Sequence, residues 1–237
     1  MTSRVLEDEA ERPVGELGSV VVEIPTELGP ARAHLWTPKA VPVGRIVLGH
    51  GAGGGIGAAD LVAVRDRAVA AGWQAVLVEQ PWRVAGKKVA SPPPRLDIGW
   101  NAVMEGLPAL PSLTGVPLVV GGRSAGARVA CRTAAAHGAR AVLCLAFPLH
   151  PPGRPEKSRA HELARPAEAG IDVLVVQGHR DAFGSGPDIA ALELPGVEVA
   201  GVDGDHSLKK YGPVADAVAA RLPEWARALP TAVDGAE

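Results

Sequence analysis

The stretch VVGGRSAGARVA, from Val119 to Ala130, decides the fold. It consists of an apolar run, two glycines, a serine, a third glycine and then a helical pattern. Residues 122–126 fit the pattern G-x-S-x-G, in which the serine lies on a sharp turn between a strand and a helix. Small residues two positions before and after the serine let the strand and the helix approach closely. The pattern alone is weak in a chain with 29 glycines, so Ser124 is either a nucleophile or an incidental serine in a tight turn.

Length and composition indicate one soluble α/β domain. The chain has 237 residues, 47% of them hydrophobic, which is enough to bury a single core. We expect the domain at residues 15–230, a flexible segment at residues 1–14 and a flexible tail at residues 231–237. The net charge of −2 argues against a nucleic-acid partner. Because no apolar run approaches the ~20 residues of a membrane span and the acidic start lacks a secretory pattern, we expect a cytoplasmic protein without a membrane partner. The oligomeric state is left open.

Short β-rich runs alternate with helical patterns along almost the whole chain, which is typical of a mainly parallel sheet covered on both faces. The first two runs are joined by a turn rich in Pro and Gly and predict an antiparallel pair, whereas the last five are continuous apolar runs that predict burial on both faces. The eight predicted strands are residues 19–24, 31–37, 45–50, 74–80, 117–122, 141–147, 172–178 and 197–202. The predicted helices are residues 58–71, 97–110, 125–137, part of 155–169, 187–194 and 213–228.

Two connections are longer than the others, residues 81–97 and 148–170. Both leave the carboxyl ends of strands, where open α/β sheets bind their ligands. The triple proline in the first connection predicts that no helix runs through residues 92–94. Neither connection is long enough for a cap domain, so we expect an open site.

Two later residues complete a predicted catalytic group around Ser124. A serine hydroxyl is a poor nucleophile until a base takes its proton, and the base needs an oriented acidic partner. Asp181 follows the seventh predicted strand and His206 follows the eighth, in the order serine, acid, histidine that a G-x-S-x-G fold of this kind uses. Asp203 and Asp205, in the histidine's own loop, are alternatives for the acid.

The glycine-rich run HGAGGG, residues 50–55, follows the third predicted strand. A loop of this kind can direct a backbone N–H at the negative charge that develops on a carbonyl oxygen. We predict that the N–H groups of Ala125 and Ala52 form this oxyanion hole, with Gly51 as the alternative to Ala52. His50 is expected to hold the loop in place rather than to transfer protons.

The same region also fits a dinucleotide-binding loop. GGGIGA, residues 53–58, matches G-x-G-x-x-A after a strand and before a helix, and Glu79 ends the next strand, where a ribose-binding acid would stand. A short-chain dehydrogenase would also need Tyr-x-x-x-Lys, but the only tyrosine is Tyr211 and Ala215 stands four residues later. An NAD(P)-binding oxidoreductase is therefore a remote alternative. The run DGDH at residues 203–206 is more typical of a turn than of a metal site, so we expect no metal.

Five motifs are distributed along the chain: LGHGAGG (48–54), GGRSAGAR (121–128), CLAFPLHPPGRPEKSRAHEL (144–163), VQGHRDAFG (176–184) and GDHSLK (204–209). Together they resemble the α/β-hydrolase superfamily and, within it, the small dienelactone-hydrolase-like group that includes the KANSL/Tex hydrolase-like proteins. The resemblance implies an α/β-hydrolase fold with about eight strands, mostly parallel and with the second strand antiparallel, without a large cap domain. It also implies a serine hydrolase site without a cofactor. Dienelactone hydrolases typically use a cysteine nucleophile, and Ser124 departs from that pattern.

The sequence therefore predicts a serine hydrolase that cleaves an ester, thioester or similar acyl bond of a small-molecule substrate through an acyl-enzyme. The alternative is a hydrolase-like interaction module without catalysis. The basic candidates would favour a substrate with a carboxylate or another anion, or else hold loops by pairing with Glu79 or with backbone carbonyls. For the three aromatic candidates, packing in the core is the alternative to lining an acyl pocket. The residues predicted near a substrate pocket are Arg123, Trp82, Arg83, Phe147, His150 and Phe183.

Overall fold

A computed structural model describes residues 4–6, 19–109 and 113–227 of the chain. The strands of this part are β1 (Arg4–Leu6), β2 (Val20–Ile24), β3 (Ala31–Trp36), β4 (Gly44–Gly49), β5 (Trp73–Glu79), β6 (Leu118–Arg123), β7 (Ala141–Leu145), β8 (Asp172–Gly178) and β9 (Val197–Val202). Its α-helices are α1 (Ala59–Ala70), α2 (Pro81–Val84), α3 (Pro93–Gly106), α4 (Ala125–Thr133), α5 (Ala160–Glu168), α6 (Gly186–Ala190) and α7 (Tyr211–Trp225). Short 3-10 helices at Ala134–His137 and Pro155–Lys157 follow α4 and precede α5.

The described strands form one sheet in the order β1-β2-β3-β5-β4-β6-β7-β8-β9. From β5 to β9 in this order all neighbours are parallel, whereas β3 runs antiparallel to both β2 and β5. This confirms the predicted, mostly parallel sheet, in which β3 is the predicted second, antiparallel strand. After β4 the chain adds β5 on one side of it and β6 on the other. The direction in which strands are added to the sheet therefore reverses between β4 and β6. Open α/β sheets bind ligands at the carboxyl ends of such strands.

The first strand was not predicted. β1 lies within the segment predicted as flexible, residues 1–14, and pairs antiparallel with β2. The rest of that segment and the predicted tail at residues 231–237 lie outside the described residues. The predicted domain limits therefore stay predictions.

Helix α3 begins inside the triple proline, so the prediction of no helix through residues 92–94 was wrong. Pro92 is the N-cap residue, and Pro93 and Pro94 are the first two helical residues. The first N–H groups of a helix have no partner within it, so proline loses no hydrogen bond there, and its fixed φ suits the helix. The short helix α2 also begins with a proline, Pro81.

Strand β9 is not buried on both faces, which corrects a second prediction. Val202 is the one buried residue among its six. The strand lies at the end of the described sheet order and pairs with β8, while the short helix α6 packs against it. An edge strand with so little cover leaves its side chains partly exposed, although its sequence reads as apolar.

The core consists of two apolar layers, one on each face of the sheet. On one face, α3, α4 and α5 contribute side chains such as Trp100, Val129 and Leu163. On the other face, α1 and α7 contribute side chains such as Leu61 and Trp225. Burial on both faces explains why β5, β7 and β8 read as continuous apolar runs.

Three glycines bring β6 and α4 into contact with β4. A Cβ atom added to Gly126 would lie 2.4 Å from the carbonyl oxygen of Gly49, and one added to Gly122 would lie 2.3 Å from the same oxygen. No side chain fits in either space. The glycines of the G-x-S-x-G pattern are therefore required by packing against β4, and this packing fixes where the turn at Ser124 lies.

We expect Gly126→Ala to lower the free energy of unfolding by about 3 kcal/mol, because the new methyl group would overlap the Gly49 carbonyl. Urea unfolding followed by tryptophan fluorescence measures the loss. Gly212→Ala is the matched control, since Gly212 is also the second residue of a helix but has no atom within 4 Å of an added Cβ. It should be neutral or slightly stabilising. Equal stability of the two variants would show that the close contact is unimportant.

Candidate active site

Ser124 lies between β6 and α4 in a strained backbone conformation. Its φ of 53° and ψ of −106° are rarely adopted by residues with a side chain, and such strain costs about 1–3 kcal/mol. Its N–H donates to the Leu145 carbonyl over 2.9 Å, and its own carbonyl accepts from the Arg128 N–H over 3.2 Å. The main chain on both sides thus holds the serine at the turn, with its side chain half-buried.

The residues predicted as nucleophile, base and acid form one hydrogen-bonded row. His206 Nε2 lies 3.0 Å from Ser124 Oγ, and His206 Nδ1 lies 2.8 Å from Asp181 Oδ2. Because an ionised carboxylate only accepts hydrogen bonds, Nδ1 carries the proton and Nε2 is left to accept one from the serine. This is the geometry in which a base can activate a serine hydroxyl.

Asp181 is held from several sides. Its side chain is 0% exposed. Its Oδ2 also accepts from Gln177 Nε2 over 2.9 Å, and its Oδ1 accepts from the Phe183 N–H over 2.8 Å. Gln177 Nε2 also lies within donating distance of the carbonyls of Phe147 and Gly184. These donors replace water around a buried carboxylate, which would otherwise be costly to bury.

The two alternative acids bind other partners. Asp203 is exposed and pairs with Lys210 and Arg180, which lower its pKa to about 2. Asp205 accepts hydrogen bonds from the N–H and the hydroxyl of Ser207. Neither carboxylate is the one that hydrogen-bonds the imidazole in the described structure.

Three aromatic residues were predicted near a pocket, and the structure places them differently. Phe183 is half-buried, and its ring centroid lies 4.3 Å from that of His206, so it covers one face of the imidazole. Trp82 is buried with its ring edge-on to His50 at 5.3 Å. Phe147 is fully buried in the core. Of the three, Phe183 is the one in contact with the hydrogen-bonded row.

Arg123 connects the turn at Ser124 to two other segments. Its Nε donates to Asp60 Oδ2 over 2.9 Å, and its Nη2 donates to the His206 carbonyl over 2.7 Å. Asp60 is 2% exposed, and burial raises the pKa of its carboxyl, while the Arg123 charge acts in the opposite direction. The contacts match the second expectation for Arg123, in which the arginine stabilises loops.

The other two basic candidates lie on neighbouring loops. Arg83 is exposed, and its side chain forms no hydrogen bond or ion pair among the described residues. Its guanidinium lies beside the glycine loop, since a Cβ added to Gly55 would be 3.6 Å from its Nε and Nη2. His150 Nδ1 is 3.0 Å from the Pro151 carbonyl, and the His150 N–H donates to the Phe183 carbonyl over 3.0 Å. Of the two arginines, Arg83 is therefore the one whose guanidinium has no hydrogen-bond or ion-pair partner among the described residues.

The glycine loop lies directly against the turn, because a Cβ added to Gly51 would be 3.5 Å from Ser124 Cβ. His50 Nε2 accepts from the Gln80 N–H over 3.3 Å, and its Nδ1 is 2.9 Å from the Gly51 carbonyl. Since a main-chain N–H can only donate, Nε2 is unprotonated and Nδ1 donates to Gly51. His50 is buried, and burial lowers the pKa of its imidazole, which favours this neutral form.

This hydrogen bond sets the direction of the next peptide N–H. In a trans peptide the C=O and the N–H point to opposite sides, and no cis peptide is found among the described residues. Because the Gly51 carbonyl points at His50, the Ala52 N–H points away from it. Neither this N–H nor that of Ala125, the first residue of α4, has a protein acceptor among the described contacts. Both are therefore available to bind an anion.

Glu79, the acid needed by the dinucleotide alternative, is already paired. Its Oε2 lies 3.0 Å from His34 Nε2, and the hydrogen bond from His34 lowers the pKa of this carboxyl. The pair joins neighbouring strands β3 and β5.

Sequence reasoning missed Asp60, Gln177 and Gln80, which hold the site residues in place. Gln177 gave a usable signal, since it is a polar residue inside the continuous apolar run of β8. A buried amide must find hydrogen-bond partners, and here those partners are Asp181 and the carbonyls of Phe147 and Gly184. Asp60 gave no comparable signal, because its partner Arg123 is distant in the chain.

The described residues contain neither a membrane-spanning helix nor a group of metal ligands. No helix in that part of the chain is long and apolar enough to cross a membrane. No group of three or more His, Cys, Asp or Glu side chains there could hold a metal ion.

Comparison with known proteins places this site in a family context. Residues 42–230 match a family model described as an alpha/beta hydrolase domain. A solved α/β serine hydrolase without a lid from Xanthomonas campestris is 20% identical, with a TM-score of 0.68, covering 92% of this chain and 100% of that one. Est1E from Butyrivibrio proteoclasticus is 14% identical, with a TM-score of 0.70 and coverage of 86% and 98%. A dienelactone hydrolase from Anabaena variabilis is 18% identical, with a TM-score of 0.64 and coverage of 88% and 96%. These likenesses concern the fold, and no curated protein sequence matches the chain significantly.

We expect Arg123→Met to lower the free energy of unfolding at pH 8 by about 3 kcal/mol, because it leaves the buried Asp60 carboxylate without its cation. The loss should be smaller at pH 5. Without Arg123 the pKa of Asp60 rises further, and a carboxyl whose pKa is raised in the folded state favours folding as pH falls and it gains a proton. Urea unfolding at both pH values measures the difference. The double variant Arg123→Met/Asp60→Asn should recover part of the stability, and equal losses at both pH values without recovery would contradict this account.

Proposed function

Because the chain belongs to the α/β-hydrolase family, we propose that it is a serine hydrolase that cleaves an ester, thioester or similar acyl bond of a small molecule. The observation that carries the proposal is the row from Ser124 through His206 to Asp181, with distances of 3.0 and 2.8 Å. A fold of this kind hosts many activities, so the argument rests on these side chains and on the two unpaired N–H groups beside them.

In the proposed reaction Ser124 Oγ attacks the acyl carbon while His206 Nε2 takes the hydroxyl proton. Asp181 keeps the imidazole oriented and compensates its positive charge. The tetrahedral intermediate collapses when His206 donates that proton to the leaving oxygen or sulfur, which leaves an acyl group on Ser124. Water then enters, His206 takes one of its protons, and attack on the acyl carbon releases the acid and restores the serine.

The negative charge of each tetrahedral intermediate falls on the former carbonyl oxygen. We assign its stabilisation to the N–H groups of Ala125 and Ala52, whose free donors and positions support this role. One such donor is typically worth about 3 kcal/mol in the transition state, or ~100-fold in kcat. All groups required by this chemistry come from the chain itself and from water.

We expect a fluorophosphonate probe to label Ser124 and p-nitrophenyl acetate to be hydrolysed. Intact-mass and peptide mass spectrometry identify the labelled residue, and release of p-nitrophenol gives the rate. Ser124→Ala should abolish labelling and lower kcat by about 10⁴-fold or more. Ser158→Ala, which changes an exposed serine two residues before α5, should leave both unchanged. A folded protein that several such probes fail to label, and that hydrolyses no ester, would instead favour a non-catalytic interaction module.

His50 gives a separate test of the oxyanion assignment. His50→Ala removes the hydrogen bond that fixes the Gly51 carbonyl, so kcat should fall by about 10- to 100-fold with a smaller change in KM. His50→Asn keeps a side-chain N–H near the position of Nδ1 and should retain most of the activity. Steady-state kinetics on variants of matched measured stability separates the two. Equal losses of kcat in both would contradict a role through the Gly51 carbonyl.

A further inference from the structure

A very small cavity lies next to Ala125, the residue that follows Ser124. A cavity of about 10 Å³ lies between the start of α4 and the carboxyl ends of β4 and β5. This is about the room that one water molecule needs. The mainly apolar wall of this cavity includes the side chains of His50, Trp82, Ala90, Leu96, Ala125 and Val129.

The order of the strands puts this cavity and the base on opposite sides of Ser124. Ser124 follows β6, which has β4 and then β5 on one side and β7, β8 and β9 on the other. The cavity is formed at the ends of β4 and β5, whereas Asp181 follows β8 and His206 follows β9.

This arrangement separates the two parts of an acyl substrate. His206 must donate a proton to the leaving group, so that group has to lie on the side of β8 and β9. The carbonyl oxygen occupies the space between the N–H groups of Ala125 and Ala52. The remaining substituent of the reacting carbon is the acyl chain, and it is directed to the other side, where Ala125 borders the cavity.

The cavity wall is packed too tightly to widen easily. Trp82 and Leu96 are 4% and 7% exposed, and Val129 is 1% exposed. The Trp82 ring packs edge-on to His50, and the Leu96 carbonyl accepts from Gln80 Nε2 over 3.2 Å. On the leaving-group side, in contrast, Phe183, whose ring covers the imidazole, is only half-buried.

Resting on the proposed function, we propose that this cavity is the acyl subsite and that it restricts the substrate to short acyl groups of about acetyl size. Leu96 and Trp82 are the residues that exclude longer chains. Leu96 is the better residue to change. Trp82 also packs against His50, so removing the Trp82 ring would disturb the glycine loop.

The first test uses the unmodified protein and a series of p-nitrophenyl esters, from acetate through butanoate and hexanoate to octanoate. Each methylene that the cavity cannot hold should lower kcat/KM, since one misfit methylene commonly costs about 10-fold or more. We expect kcat/KM for hexanoate to be at least about 10-fold below that for acetate. A flat profile, or one that rises towards octanoate, would overturn the proposal.

The second test enlarges the cavity. Leu96→Ala should raise the hexanoate-to-acetate ratio of kcat/KM by about 10-fold, because it removes part of the wall. Leu107→Ala is the matched control, since Leu107 is 9% exposed at the end of the same helix but does not line the cavity. Its ratio should stay that of the unmodified protein. An unchanged ratio in Leu96→Ala, or an equal change in both variants, would overturn the assignment.

These outcomes are distinct from failure of the proposed function. If no ester is hydrolysed and Ser124 is not labelled, the hydrolase proposal itself is wrong. If acetate is hydrolysed but longer esters are hydrolysed equally well, only the acyl subsite is wrong. Should Leu96→Ala not fold, Val129→Ala opens the same cavity from α4 and is read with the same ratio.

Discussion

The contact between the Gly49 main chain and the start of α4 is the constraint on which the site depends. The chain passes from β6 into α4 through a sharp turn that brings both elements against Gly49, and no Cβ fits at Gly122 or Gly126 there. Ser124 accepts a φ of 53° as a consequence. Hydrogen bonds on both sides and packing against β4 over-determine this conformation, which is how strained residues persist in folded proteins. The same contact brings the Ala125 N–H and the glycine loop together at one edge of the sheet.

Two polar contacts connect this turn to His206, the proposed base, and to the glycine loop. Arg123, inside the turn, holds the His206 carbonyl and pairs with the buried Asp60. His50, at the end of β4, fixes the direction of the Gly51 carbonyl. Contacts at the ends of β4 and β6 thus fix both the position of the imidazole and the direction of the Ala52 N–H. The groups that we propose carry out hydrolysis therefore depend on one small part of the sheet, although they come from distant parts of the chain.

The features predicted correctly from the sequence are those that a local residue pattern determines. The features that were missed depend on residues distant in the chain or on position in the fold. The buried parallel strands were found because burial on both faces imposes continuous apolar runs, as in β7. Strand β9 has a similar run but lies at the edge, and edge position follows from strand order rather than from its own residues. The triple proline was misread because the effect of proline depends on its position in the helix. Arg123 was left between two roles because its partner, Asp60, lies 63 residues away in the chain.

Gln80 and Trp82, directly after β5, contact both the glycine loop and the wall of the small cavity. The Gln80 N–H donates to His50, and the Gln80 side chain donates to the Leu96 carbonyl. Trp82 packs on His50 as well, so any change there alters both the cavity and the loop. Leu96, however, is held through its main chain, and its side chain serves only to fill space. If the cavity is the acyl subsite that we propose, a change at Leu96 alters acyl size without moving the N–H groups of Ala125 and Ala52, whereas a change at Trp82 alters size and rate together.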